Sequence, residues 1–188
     1  KVRSIAIDKD NKIYVGGQNE VGYFLPDEKG CHVYHSLVNL IPKQDRSFDA
    51  IWNICTFGSD VFFRSNKRIF QLSNNKIAVY PTRSEWRFLA VCNNQLMAED
   101  LESGALLYQE GAWVPFLRNT ALSANSLITS FVPLDNKRSL IATLKDGLFV
   151  YDGSNLTAIR SPDFERLNKK IIYKAIVVGN NRSAVATS

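Results

Sequence analysis

The amino-acid sequence predicts an all-β fold of repeated four-stranded antiparallel units, and three observations lead there. Short β-branched and aromatic runs recur along the whole chain, separated by clusters of Gly, Asn, Asp and Ser. Groups of four such runs start at Val2, Ile51, Arg87, Leu127 and Ile171, spaced by roughly forty residues, the period of a β-propeller blade. No window sustains the i, i+3, i+4 apolar pattern of a helix over three turns. The expectation is therefore a partial β-propeller within one domain, residues 1–188. Its blades cover about 2–50, 51–86, 87–126 and 127–170, and a fifth starts over 171–188.

The most legible unit is Ser139–Gly153. Ser139–Thr143 and Leu148–Tyr151 are two strands around the turn Lys145-Asp146-Gly147, in which Gly147 is able to take positive φ. Leu127–Val132 precedes them and Leu156–Arg160 follows. The first unit reads as Val2–Ile7, Ile13–Gly16, Val21–Leu25 and Cys31–His35. The second reads as Ile51–Phe57, Val61–Arg64, Arg68–Leu72 and Lys76–Tyr80, with turns at Gly58-Ser59-Asp60, Ser65-Asn66-Lys67 and Ser73-Asn74-Asn75. The third reads as Phe88–Cys92, Gln95–Ala98, Ala105–Tyr108 and Ala112–Pro115. Tyr173–Val178 and Ser183–Thr187 begin the fifth. Short helical turns have room only in Ser36–Asp45 and Asp163–Lys170.

Proline placement agrees with this register. Pro115 falls in a last strand, the outer edge, where a missing N–H is tolerated. Pro26, Pro42, Pro81 and Pro162 fall in turns or connections, and none is expected in a middle strand. Alternation within strands predicts burial of Ile5, Ile7, Ile13, Val15, Ile54, Val61, Phe63, Ile69, Leu89, Leu96, Leu106, Phe131, Ile141, Leu148 and Val150. The last unit has two strands and the first has none to spare, so the ring is expected to stay open. The first residues already read as strand, without a start Met or signal peptide, which suggests a piece of a longer protein.

Composition narrows the function classes. Hydrophobic residues are 45% and charged residues 22%, enough for a core and too few charges for disorder. No apolar run is long enough to span a membrane. The net charge is +5, but Lys67-Arg68, Lys137-Arg138 and Lys169-Lys170 are the only tight basic pairs and sit near turns. That argues for a solvated surface and against direct nucleic-acid contact. Cys31, Cys55 and Cys92 are too few and too scattered for a disulfide framework or a zinc site and read as buried thiols, though an oxidising compartment leaves room for one pair.

Two stretches carry a resemblance to a known family. Thr143-Leu144-Lys145-Asp146-Gly147-Leu148-Phe149-Val150-Tyr151-Asp152 resembles the two-component-regulator propeller repeat: a short strand, a Gly-Leu turn, an aromatic, then Tyr-Asp. Ile13-Tyr14-Val15-Gly16-Gly17-Gln18-Asn19-Glu20-Val21-Gly22-Tyr23 is similar to the same repeat as found in Bacteroidetes sensor proteins. Units two and three carry it in degenerate form, at Asn66-Lys67-Arg68-Ile69-Phe70 and Glu102-Ser103-Gly104-Ala105-Leu106. The resemblance implies the periplasmic sensor region of a membrane-anchored regulator. It also implies further propeller blades and a β-sandwich in the same chain, and a histidine kinase or helix-turn-helix output domain. Many hybrid members of the family respond to polysaccharide breakdown products.

The chain lacks the G-x-S-x-G, G-x-G-x-x-G, P-loop and H-E-x-x-H patterns. His32 and His35 are expected on opposite faces of an edge strand, so neither a metal nor another cofactor is expected. Glu99, Asp100 and Glu102 read as a solvated turn. Binding is instead expected where the connections between units meet the loops between second and third strands. That mapping selects Arg46, Asp49, Trp52, Arg83, Glu85, Trp86, Arg87 and Asn125, with Asp45, Asn119, Gln18, Asn19, Glu20, Lys67 and Lys145 around them. Aromatic faces beside Arg and carboxylates suit an oligosaccharide or a partner's side chains. Trp52 and Trp86 start innermost strands, so each fits either stacking on a ligand or wedging between units. The expectation is a non-enzymatic sensor or interaction module, with a homodimer among its partners. A propeller glycoside hydrolase or polysaccharide lyase, or a structural scaffold, is the alternative.

Overall fold

Among the described residues, alternating side chains and short turns build four sheets of four strands and one of two. The computed structural model describes residues 1–116, 122, 126–160, 162, 170–179 and 182–188. The first sheet comprises β1 (Val2–Ile7), β2 (Ile13–Gly17), β3 (Glu20–Pro26) and β4 (His32–Ser36). The second comprises β5 (Asn53–Phe57), β6 (Asp60–Arg64), β7 (Arg68–Ser73) and β8 (Lys76–Pro81). β9 (Trp86–Cys92), β10 (Gln95–Asp100), β11 (Gly104–Gln109) and β12 (Ala112–Pro115) make the third. β13 (Ile128–Pro133), β14 (Ser139–Thr143), β15 (Leu148–Tyr151) and β16 (Leu156–Ala158) make the fourth, and β17 (Ile172–Val177) pairs with β18 (Ser183–Thr187). Each sheet runs in chain order, neighbour beside neighbour, as β-propeller blades do.

Turn chemistry sets the registers. Asn74-Asn75 and Asn93-Asn94 all take positive φ, the backbone that a two-residue hairpin needs to follow the twist of its strands. Gly147 also has positive φ, at 89°. Its carbonyl accepts from the Thr143 hydroxyl at 2.9 Å, so the turn is stitched to the end of β14. Two 3₁₀ turns, Val38–Leu40 and Lys43–Asp45, occupy the first stretch expected to hold helical turns. The second, 163–170, lies outside the described residues apart from Lys170.

The chain divides into two compact units, Lys1–Leu89 and Ala90–Ser188, with the division inside β9. In the first unit, Tyr14 and Val21 of the first sheet pack on Ile54, Val61, Phe63 and Phe70 of the second. Leu37, Ile41 and Phe48 of the connecting segment close this core. Gly16 has no room for a side chain, because an added Cβ would stand 2.5 Å from Ile51. In the second unit, Leu140, Ala142 and Leu148 of the fourth sheet pack on Ile172 and Ala175 of β17.

Eleven of the residues expected in the core are buried, from Val15 through Leu148, while Ile13 and Val150 are half-buried. Ile5 and Ile7 are not buried; they are 62% and 60% exposed. They pair with Val15 and Ile13 on the face of β1 turned away from the second sheet, whereas Ala6 faces that sheet. At the place of Ile5, the second and fourth sheets carry Ile54 and Phe131, and both are buried.

Pro115 closes the edge strand β12, as expected. Pro26, by contrast, ends β3, a middle strand. It is tolerated because it is the last residue of the ladder, and the next N–H, of Asp27, donates to the Cys31 carbonyl at 2.8 Å. Cys92 is buried and donates to the Ser139 hydroxyl at 3.2 Å, and burial pushes its thiol pKa up. Cys55 is half-buried and donates to the Leu89 carbonyl. Cys31 is exposed, contrary to expectation, because it lies on the turn before the edge strand β4.

Replacing Ile141, fully buried in a middle strand, by Ala is expected to cost about 2–5 kcal/mol in chemical denaturation. Ile7→Ala, on the uncovered face, is expected to change stability by no more than about 0.5 kcal/mol.

Candidate functional site

How each first strand begins decides which side chains are turned outward. In the first sheet Val2 faces Gly17 and Ser4 faces Gly16, so Arg3 is one residue too many. The fourth sheet has the same slip at Thr129, and the fifth at Tyr173. Such a β-bulge re-aims the extra side chain. In the second sheet Asn53 faces Arg64, and the N–H of Trp52 also bonds to the Arg64 carbonyl, at 2.8 Å. Ile51 is fully buried just before it, which puts Trp52 in the bulge position. In β9 the burial sequence over Trp86, Arg87, Phe88 and Leu89 repeats that of Ile128 to Phe131, which puts Arg87 there too.

Among the residues selected from sequence, Trp52 is 41% exposed, and the Arg3 guanidinium lies 4.7 Å from its ring centre. Asp49 is exposed with φ +60°, and Asn19 clasps its backbone. The Asn19 side-chain oxygen accepts from the N–H groups of Phe48 and Asp49, each at 3.0 Å, and the Asn19 N–H donates to the Asp49 carbonyl at 2.6 Å. Arg46 is half-buried and donates to the carbonyls of Ile41 and Asn39, so it braces its own connection. Asp45 is held by Arg68 at 2.7 Å. Arg83 is exposed and Glu85 half-buried, flanking Ser84, whose carbonyl accepts from the Lys67 ammonium.

Trp86 and Trp52 differ in role. Trp86 is 4% exposed. Its indole N–H donates to the Tyr80 carbonyl at 3.1 Å, and its own carbonyl accepts from buried Arg64 at 2.5 Å. It wedges between strands, while Trp52 keeps a face open. Asn119 and Asn125 lie outside the described residues. Lys145 is exposed, and its neighbour Asp146 accepts from the Ser126 hydroxyl. Arg3 was not among the selected residues, because a one-residue slip leaves only a weak mark on strand alternation.

The acidic stretch is not a solvated turn. Glu99 and Asp100 are both buried, and only Glu102 is exposed. Both oxygens of Glu99 accept from the Ile128 N–H, at 3.2 and 3.1 Å. Asp100 accepts from the N–H groups of Glu102 and Ser103. Asp100 thus holds the turn from β10 into β11, and Glu99 holds the backbone at the start of β13. His32 and His35 are exposed on β4, and His35 stacks on Tyr23 at 5.1 Å. Among the described residues no three His, Cys, Asp or Glu side chains gather as a metal would need, and no helix is long and apolar enough to cross a membrane.

The uncovered face of the first sheet holds a groove of about 240 Å³ lined by Val2, Val15, Gly17, Glu20, Phe24 and Tyr34. Glu20 accepts from the hydroxyls of Tyr34 and Ser36, both at 2.7 Å. Burial and the Glu20 carboxylate push the Tyr34 hydroxyl well above its ordinary pKa.

No family model matches the sequence, and a search among curated proteins finds no match. Solved structures do resemble it. The extracellular domain described as belonging to a hybrid two-component system of B. thetaiotaomicron has a TM-score of 0.72 at 15% identity, covering 100% of this chain and 25% of that one. A second B. thetaiotaomicron extracellular domain, described as that of a one-component system, gives 0.70 at 14%, with the same coverage. Virginiamycin B lyase of Staphylococcus aureus gives 0.63 at 15%, covering 99% of this chain and 69% of that one. These likenesses establish the β-propeller fold. The chain spans a quarter of the length of the two extracellular domains.

Asn19→Ala is expected to destabilise the protein by roughly 1–3 kcal/mol in urea titration, because two backbone N–H groups lose their acceptor. Asn19→Asp keeps an acceptor and tolerates positive φ, and is expected to retain most of that stability.

Proposed function

We propose that the chain is a sensor or interaction module, part of the extracytoplasmic β-propeller of a bacterial signalling regulator, and that it recognises an oligosaccharide. The observation that carries this is the likeness, over the full chain, to extracellular domains of two B. thetaiotaomicron regulators. The propeller-repeat motifs at Ile13–Tyr23 and Thr143–Asp152 point the same way. In this reading the module lies in the periplasm and belongs to a membrane-anchored protein that carries the output domain, with dimerisation as one route to signal transfer.

The uncovered face of the first sheet supports a further part of the reading. Ile5 and Ile7 stand in water where the second and fourth sheets bury Ile54 and Phe131. A further blade of the same regulator, packed on that face, removes this exposed apolar surface. A second reading, a propeller lyase, is favoured by the likeness to virginiamycin B lyase.

Isothermal titration against an oligosaccharide panel, with product analysis of the same mixtures, tests the proposal. Saturable binding with unchanged ligand is the expected outcome. Turnover would move the protein to the enzyme reading, and absence of binding across the panel would leave a scaffold.

A further inference from the structure

We propose that Arg3, Trp52 and Arg87 form one binding row for an acidic oligosaccharide, a chain bearing uronate carboxylates. The inference rests on the oligosaccharide reading above and narrows it to one ligand chemistry. Three observations within residues 1–89 carry it.

The first is position. All three are the re-aimed residue at the start of a first strand, at Val2–Ser4, Ile51–Asn53 and Trp86–Phe88. β1 and β5 adjoin, and the stacking of Arg3 on Trp52 at 4.7 Å shows that successive bulge residues meet. The start of β9 is held to the second sheet by the Trp86 N–H on the Asn66 carbonyl, at 2.8 Å, and by Arg64 on the Trp86 carbonyl. Arg87 is therefore the next member of the series after Trp52.

The second is charge. Among the described residues neither Arg3 nor Arg87 has a carboxylate within ion-pair distance. Arg3 lies over the indole and Arg87 holds the next bulge position, and among the described residues neither guanidinium has a counter-charge of its own. The third is shape. The Trp52 ring is exposed and its backbone is fixed by the bond to the Arg64 carbonyl, so it offers a rigid apolar face.

A sugar ring lays its C–H face on an indole, and a guanidinium fork accepts a carboxylate in a bidentate pair. A uronate residue carries both features at once. A neutral sugar fills the indole and leaves both arginines unused. Single-stranded nucleic acid stacks successive bases on successive aromatics, and this row has one aromatic side chain.

The test uses the whole chain with a short oligogalacturonate, a neutral galactan oligosaccharide of equal length, and an oligothymidylate. Binding is followed by tryptophan fluorescence and calorimetry. Trp86 is buried and Trp113 half-buried, so quenching reports chiefly on Trp52. The oligogalacturonate is expected to bind and quench, more weakly as salt is raised. Arg3→Gln and Arg87→Gln are each expected to weaken it at least about tenfold. Trp52→Phe should remove the quenching and keep part of the affinity, and Arg3→Lys should fall between wild type and Arg3→Gln.

If either saccharide binds equally well to wild type and to all row variants, the row is wrong while the oligosaccharide reading stands. Equal affinity for the neutral galactan also overturns the row. If only the oligothymidylate quenches Trp52, both readings fall. Melting curves of each variant, expected to stay close to wild type at exposed Arg3 and Trp52 and at half-buried Arg87, separate lost binding from lost fold.

Discussion

Where the chain leaves one sheet and starts the next, a backbone N–H is buried and needs an acceptor. The Ile51 N–H finds the Gly17 carbonyl at 3.1 Å, that of Trp86 the Asn66 carbonyl at 2.8 Å, and that of Ile172 the Leu144 carbonyl at 3.0 Å. Each acceptor lies at the turn between the second and third strands of the preceding sheet. Left unmade, such a bond costs roughly 1–3 kcal/mol, a large share of a domain's net stability. The bond does more than satisfy a donor. It draws the residue that carries it into the space between sheets, which is why Ile51, Trp86 and Ile172 are all buried. The residue that follows then has no place on that face and is turned outward. The outward row of side chains is thus a by-product of how one sheet is fastened to the next.

The third sheet meets the same need by different chemistry. The Ile128 N–H bonds to the Glu99 carboxylate and not to a carbonyl. In the register of the repeats, Glu99 stands where the second sheet has Ser65 and the fourth has Thr143, both buried and both bonded to local backbone. A short hydroxyl serves only its own turn, through the carbonyls of Arg68 and Gly147. A longer carboxylate reaches the start of the next sheet. The side chain at this one position therefore either serves its own turn or fastens the next sheet, and which it does tracks reach, not exposure.

This also explains which parts of the molecule are legible in the sequence. Strand alternation and the Asn-Asn, Asp-Gly and Glu-Gly turns act within a few residues, so the strands and most of the core can be read from them directly. Ile5 and Ile7 alternate as core residues should, and only the absence of a covering sheet makes them surface. Glu99-Asp100 looks like a turn because its burial depends on Ile128, 29 residues away. The site is harder still. Trp52 and Trp86 both begin innermost strands in the same kind of sequence, yet one is exposed and the other wedged, because they differ by one residue in the register of the bulge. Arg3 is invisible for the same reason. A slip of one residue reverses which face a side chain takes, and nothing local announces it.

The bulge separates two tasks that usually compete. The residues just before it are Ile51, Trp86, Ile128 and Ile172, all large, apolar and buried, and in the first sheet Val2, which is apolar but exposed. The bulge residues themselves are Arg3, Trp52, Arg87, Thr129 and Tyr173, which share neither size, charge nor polarity. Packing constrains the first set tightly and the second hardly at all. A fold arranged in this way can exchange the outward residue without disturbing the junction beneath it, since the fastening bond is made by backbone. Chemical variety at that position, set on a uniform apolar support, is what a repeated scaffold needs if its blades are to meet different groups of one extended ligand.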